Sequence, residues 1–305
     1  MANSLLFHAR ALRILLTGVA LLAARPAPAD DQPRTAGPYV PTPQVIVDRM
    51  LQMARVGASD FVVDLGSGDG RMVRTAARVY GASGFGVDID GELVELSNAE
   101  ARREGIAARA KFYQQDIFTA DIRKATVVTL YVLPGMMTSL LPKVLSELKP
   151  GTRIVSHDYY FQDWVPDSRV SFDVPEKKDA VGFSSTSLYL WVVPAHVGGR
   201  WRLEVSGAKV PDPVMLSFQQ TFQYVNGVAQ VGTRKSEMGN IKLKGDAFEF
   251  GLDAGPKAGG DRYTYRGKVK GDTMEGEVAW GTGVAPKRYK WKATRLDSQK
   301  DPFAR

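Results

Sequence analysis

Cysteine is missing altogether from this chain of 305 residues. That absence excludes disulfides, thiolate metal sites and cysteine nucleophiles, and leaves the redox compartment open. Histidine is nearly missing: His8, His157 and His196 are the only three. A histidine-rich metal centre is excluded on that count, and no metal is expected. Long apolar runs are scarce as well. The most apolar, Ile14–Ala24, is too short to span a bilayer comfortably. Nor does the first half carry an excess of positive charge. Residues 30–194 hold 18 Lys and Arg against 21 Asp and Glu, which gives no electrostatic pull toward nucleic acid and tolerates a cationic substrate.

What is present divides the chain in three. His8, Arg10 and Arg13 precede the apolar run, and Ala27-Pro28-Ala29 has the small-x-small form of a cleavage site. Residues 1–29 therefore read as a signal peptide, with an exported or periplasmic mature chain. An uncleaved anchor or a cytoplasmic chain is the alternative. From residue 38 to 194 short apolar strands alternate with amphipathic helices: strands Phe61–Leu65, Phe85–Ile89, Lys111–Gln114, Val127–Val132 and Arg153–Ser156, and helices from near Thr42 and over Gly70–Tyr80, Glu92–Glu104 and Met136–Leu148. Strands apolar on both faces imply an α/β fold with a parallel sheet between helices. Arg169–Val174 and Ser187–Val193 follow without a long helix between them, which suits an edge hairpin. From residue 199 to 297 the period becomes two, and turns are expected at Asn226-Gly227, Lys244-Gly245-Asp246 and Lys270-Gly271-Asp272. About eight antiparallel strands make an all-β barrel or sandwich. Residues 195–305 hold 19 Lys and Arg against 12 Asp and Glu; a solvated sheet face or an anionic partner both account for that.

Chemistry concentrates at Val62-Val-Asp64-Leu-Gly66-Ser-Gly68-Asp-Gly70, where a strand runs into a helix. Alternate glycines let the chain turn sharply and let a ligand approach the backbone at the carboxyl edge of the sheet. A dinucleotide fingerprint would continue Gly-x-Gly-x-x-Gly, yet Arg71 stands in the last place. Asp69 also puts a carboxylate where a pyrophosphate would lie. Asp88 ends the next strand about 20 residues on, placed for ribose hydroxyls, and Asp116 follows the third strand, placed for an adenine amino group. Read alone, each aspartate is a cap or loop residue; together at successive strand ends they mark a nucleoside site.

At this point the chain resembles the class I S-adenosylmethionine-dependent methyltransferases, with a Rossmann-like sheet. Within them it resembles the protein-lysine methyltransferases of ATP synthase c-subunit and adenine nucleotide translocase, and their bacterial relatives. The likeness covers roughly residues 38–166 and rests on Pro38-Tyr-Val-Pro-Thr-Pro43, Asp64-Leu-Gly-Ser-Gly-Asp-Gly-Arg71, Thr126–Pro134 and Leu148–Asp158 followed by Trp164. It implies S-adenosyl-L-methionine as cofactor, with Asp64, Gly66, Gly68, Asp88 and Asp116 as contacts. It places Tyr39 and Thr42 in a segment covering the site, and implies a protein lysine as methyl acceptor, with a membrane protein among the possible substrates.

A lysine nucleophile has to lose a proton, its free pKa being about 10.4. Tyr131 follows the fourth strand and is read as an orienting hydroxyl. His157 and Asp158 follow the fifth and are read as proton acceptor or orienter. Packing and a structural turn are the plain alternatives. Tyr159, Tyr160, Phe161 and Trp164 form an aromatic cluster that either holds an alkylammonium group or packs a loop; Trp164 is placed on the substrate or lid side. Two other functions remain on this reading. One is an exported ligand-binding or surface-binding protein retaining the scaffold. The other is a small-molecule methyltransferase whose β-domain holds an apolar substrate.

Overall fold

The computed structural model describes residues 39–207, 214–253, 262–280 and 287–300. The signal-peptide reading of residues 1–29, and Pro38, lie outside them. Among the described residues no helix is long and apolar enough to cross a membrane.

The first sheet has seven strands: β1 (Phe61–Leu65), β2 (Ser83–Asp88), β3 (Ala110–Gln114), β4 (Val127–Leu130), β5 (Arg153–His157), β6 (Ser168–Asp173) and β7 (Ser185–Val192). Their order is β3-β2-β1-β4-β5-β7-β6. The first five are parallel, and β7 runs antiparallel to both β5 and β6. Helices α1 (Gln44–Met53), α2 (Arg71–Tyr80), α3 (Gly91–Arg103) and α4 (Pro134–Glu147) cover it, and a short α5 (Pro175–Val181) sits between β6 and β7. Both faces are buried, which is why the central strands read as mostly apolar runs without alternation. From β1 the chain builds outward to β3, then returns to lay β4 on the other side of β1. That reversal opens a crevice at the carboxyl ends of β1 and β4, where such sheets bind ligands.

The second sheet is wholly antiparallel: β8 (Gly199–Val205), β9 (Val214–Thr221), β10 (Tyr224–Val231), β11 (Arg234–Glu237), β12 (Gly239–Lys244), β13 (Ala247–Asp253), β14 (Arg262–Lys270), β15 (Thr273–Trp280) and β16 (Lys287–Ser298). Its nine strands run β11-β10-β9-β8-β16-β15-β14-β13-β12, one more than the sequence pattern counted. Its two ends come together where the Met238 N–H bonds the Gly227 carbonyl at 2.9 Å, so it is a nearly closed barrel. The alternating residues fill its interior, among them Trp201, Leu216, Phe218, Phe248, Phe250, Tyr265, Met274 and Trp291.

One expected turn is wrong. Asn226 and Gly227 lie inside β10, and the chain turns at Phe222-Gln223 instead. A side chain at Gly227 would meet Phe218 and the Met238 sulfur at 2.8 Å, so its glycine serves close packing. Phe222, at φ 53°, leaves the barrel and joins the core of the first sheet. Its ring stacks on Trp164 at 5.6 Å, while Gln223 accepts from the Trp164 indole at 2.8 Å and donates to the Val165 carbonyl at 2.8 Å. Gln220, buried, staples the connecting segment through Ala195, Val197 and Gly198.

Candidate active site

The loop after β1 takes left-handed backbone at Gly66, Gly68 and Gly70 (φ 85°, 52° and 76°). Glycine is required at two of them for room as well. A Cβ at Gly68 would run into the Tyr39 ring, and one at Gly70 would meet Phe112 at 2.6 Å. The turn is tied to β2, because the Gly66 and Ser67 N–H groups both donate to the Val87 carbonyl at 2.9 Å. Asp88 completes the tie by accepting from the Gly68 N–H at 2.8 Å and the Asp90 N–H at 3.0 Å. Asp64, Gly66, Gly68 and Asp88 thus come together around one loop at the carboxyl ends of β1 and β2. Asp116 lies at the exposed tip of β3, where its carboxylate accepts from the Phe118 N–H at 2.8 Å and shapes the following turn.

Asp64 is buried, with one hydrogen bond from the Thr129 hydroxyl at 2.6 Å. Burial pushes its carboxyl up to about 7; the Thr129 bond opposes this and the charges of Asp88 and Asp69 add to it. A buried carboxyl without a cation is a costly group. It fits a cofactor that brings positive charge. The Ser67 hydroxyl is buried in the same loop against Gly86, without a hydrogen-bond partner.

Arg71, which the sequence offered only as a break in a dinucleotide fingerprint, closes over this loop. It forks onto Asp69 at 2.9 and 2.6 Å and reaches the Thr42 carbonyl at 2.7 Å. Burial works against the Asp69 charge, but the hydrogen bonds and charge of Arg71 outweigh it and hold that carboxyl below its usual range. Burial and the nearby Asp69 raise the Tyr39 hydroxyl. Residues 39–43 therefore form a strap over the glycine loop. Thr42 contributes its backbone carbonyl to it, and Tyr39 its ring.

Across the crevice, Tyr131 leaves β4 and His157 ends β5. Their rings lie 4.0 Å apart, and the Tyr159 ring stacks on Tyr131 at 6.2 Å. Burial pushes the Tyr131 hydroxyl up to about 12, helped by Asp158 and Tyr159. His157 is buried and neither ring nitrogen has a hydrogen-bond partner. Burial, opposed by Asp158 and reinforced by Lys177, pushes its imidazole down to about 4, so it is neutral at ordinary pH. Asp158 is already engaged. Its carboxylate holds the Lys177 ammonium and accepts from the Ser187 N–H at 3.0 Å. That corrects the acceptor half of the reading of Asp158 as acceptor or orienter, because its carboxylate is already taken. Trp164 is corrected as well: it is fully buried between Phe161, Trp191 and Phe222, with no face left for a substrate. Thr129 and Lys177 were missed. A lone threonine in an apolar strand was a signal for the first; nothing marked the second.

The family model of the ANTKMT methyltransferase domain matches residues 64–168. The protein-lysine N-methyltransferase of Saccharolobus islandicus is 39% identical over 160 residues, covering 52% of this chain and 95% of that protein. The Xenopus laevis lysine N-methyltransferase named for the ATP synthase c-subunit is 36% identical over 130 residues, covering 43% of this chain and 57% of that protein. Among solved structures, an RNA methyltransferase from Salinibacter ruber in complex with S-adenosyl-L-homocysteine is 44% identical. It covers 50% of this chain and 93% of that one, at a TM-score of 0.46.

Proposed function

The chain belongs to the protein-lysine N-methyltransferase family, and from that membership we propose that it moves a methyl group from S-adenosyl-L-methionine to the side-chain amine of a protein lysine. The observation that carries this reading is a buried, uncompensated Asp64 beside a glycine loop that lies under Tyr39 and is tied to Asp88. Its residues fit the donor. Asp64, the Gly66–Gly68 backbone and Asp88 would hold it, with Asp116 at the rim and the strap of Tyr39 and Thr42 above. When bound, S-adenosyl-L-methionine would supply an electrophilic methyl on cationic sulfur, with a neutral thioether as the leaving group to an amine lone pair.

The chain's own contribution is alignment and exclusion of water. Tyr131 and His157 face the crevice from the acceptor side. Tyr131 keeps its proton, so its hydroxyl can donate to or orient the amine. His157 is uncharged and buried against Tyr131, so it can fix the position of that ring beside the amine. An amine entering this desolvated crevice loses its proton more easily than in water. The curated relatives are named for lysines of the ATP synthase c-subunit and of adenine nucleotide translocase, and we take a protein lysine as the acceptor class here. We further propose that the mature chain begins after Ala29 and acts outside the cytoplasm, on the strength of Ile14–Ala24 and Ala27-Pro28-Ala29. A reporter active only outside the cytoplasm, fused to residues 1–35, tests this: silence of the reporter removes the export proposal.

Calorimetry with S-adenosyl-L-methionine tests the main proposal. Wild type is expected to bind the donor, and Asp88→Ala to lose at least about tenfold in affinity, because a ligand hydroxyl and the Gly68 N–H both lose an acceptor. Mass spectrometry of lysine-bearing protein substrates then reads the product. Absence of binding at millimolar donor would remove the enzyme reading.

A further inference from the structure

Lys177 is out of place by every local rule. It lies in α5 beside Lys178, yet Lys178 is exposed and Lys177 is 2% exposed. A buried ammonium persists only when paired and hydrogen-bonded. Lys177 meets both conditions at a single point. Its Nζ grips the Asp158 carboxylate, donates to the Ser185 carbonyl at 2.6 Å and lies 4.5 Å from the centre of the Phe183 ring. Asp158 itself has φ 61°, a strained value for a residue with a Cβ. The Tyr159 N–H bonds the His157 carbonyl at 2.7 Å, closing a γ-turn whose centre is Asp158. Asp158 and Ser187 also exchange bonds, backbone N–H to carbonyl at 2.7 Å and backbone N–H to carboxylate at 3.0 Å. The turn that ends β5 therefore stands between His157 on one side and Tyr159 on the other, and both of their rings approach Tyr131.

We propose that Lys177 is a positioning residue of the methyl-transfer site: by clamping Asp158 it holds this strained turn and so sets the His157 imidazole against Tyr131. The inference rests on the proposed function for its kinetic consequence, though not for its geometry. The clamp acts in two ways. It fixes the ring positions on the acceptor side, and it neutralises the one carboxylate beside His157, which stands 3.4 Å from Nε2. Among the described residues, the charged groups that act on His157 are Asp158 from its own strand end and Lys177 from α5, and the Tyr131 ring lies against it; β7 offers Leu188 and Ser187, neither of which titrates. Without Lys177, an uncompensated Asp158 would favour a protonated imidazole. A fixed cation would then stand where a lysine amine has to enter.

The test compares Lys177→Met and Lys177→Arg with wild type in the full chain. With three histidines in the sequence, NMR of labelled imidazoles resolves His157, assigned by the loss of its signal in His157→Gln. Wild-type His157 is expected to stay neutral from about pH 8 to about pH 5, and Lys177→Arg to behave likewise. In Lys177→Met it should titrate inside that window, a rise of at least about one unit for the loss of one neighbouring charge. Methyl transfer by Lys177→Met should fall at least about tenfold in kcat. Its affinity for S-adenosyl-L-methionine should stay within about twofold, since no bond of Lys177 reaches Asp64, Gly68 or Asp88. An unmoved His157 titration with unchanged turnover overturns the proposal, and so do equal losses of donor affinity and turnover. If Lys177→Met does not fold, the Asp158→Asn/Lys177→Met pair, which leaves no lone buried charge, takes its place. It should keep His157 neutral yet remain slow, because Ser185 has lost its donor; full turnover in the pair overturns the positioning role. Should wild type bind no donor at all, the proposed function fails, and the imidazole titration still decides the clamp.

Discussion

Replacing Asp64 with asparagine removes the most strained charge of the proposed donor site while keeping an acceptor for the Thr129 hydroxyl. The carboxyl titrates at about 7 in the folded chain against an ordinary 3.8, chiefly because it is buried. Three units at about 1.4 kcal/mol each make its ionisation in the unliganded fold cost roughly 4 kcal/mol relative to the unfolded chain. The sign follows from which state holds the proton. Below about pH 4 the group is protonated in both states and costs nothing. As the pH rises toward 7 the unfolded chain ionises first, so stability falls through this window and stays lowered above it. Asp64→Asn should therefore exceed wild type in unfolding free energy by about 2–4 kcal/mol near pH 8.5, but by only about 1 kcal/mol near pH 4.5. Urea unfolding of the two proteins at both pH values, without ligand, measures this. Saturating S-adenosyl-L-methionine should then reverse the order, because a ligand stabilises only the protein that binds it. A variant no more stable than wild type near pH 8.5, or a gap that does not widen with pH, would refute the argument that burial holds this carboxyl up.

Three more outcomes are expected. Arg71→Met frees the strap from the Thr42 carbonyl and from Asp69, so donor affinity should fall about three- to thirtyfold, mostly through faster release in stopped-flow, with little change in Tm. Phe222→Ala should cost about 3–5 kcal/mol in thermal unfolding, since its ring is built into the core of the first sheet against Trp164; a cost near zero would show that the stacked pair does not join the two sheets. Tyr131→Phe should lower kcat without moving any limb of the pH profile below pH 10, because the hydroxyl, pushed up to about 12, stays protonated throughout. A limb that disappears in this variant would make Tyr131 a titrating group in the reaction and contradict its environment.

Much of the parallel sheet was legible because burial on both faces leaves a local trace: short, mostly apolar runs such as Val127–Leu130, each followed by a helix period. The glycine loop was legible because left-handed turns select glycine at fixed offsets. What escaped was decided over long separations. Asn226-Gly227 carries a strong hairpin signal, but its glycine answers to Phe218 and Met238 from neighbouring strands. The real turn is set by Phe222 finding Trp164, far back in the sequence. Nothing in the sequence tells Lys177 from Lys178, and only the ion pair with Asp158 and the bond to Ser185 separate a buried member from an exposed one. Trp164 failed for the same reason, since an aromatic cluster looks alike whether it lines a pocket or fills a seam. Asp158 was placed correctly at its strand end, yet its role depends on a partner from another element.

The order of the strands also explains how two cations can be brought together in one crevice. Reading across the sheet, β2, β1, β4 and β5 present Asp88, Asp64, Tyr131 and His157 in turn, with the chain reversal between the second and the third. The half formed by β1 and β2 is acidic and has a buried carboxyl awaiting positive charge. The half formed by β4 and β5 carries no net charge: Tyr131 and His157 are neutral, and Asp158 cancels Lys177. On the proposed function, a sulfonium would be drawn to the first side, while the other would give an ammonium no counter-charge and would accept the free amine in preference. Because the neutrality of the second half depends in part on a lysine in α5, which offsets Asp158, a change at Lys177 should alter acceptor selection before it alters donor binding.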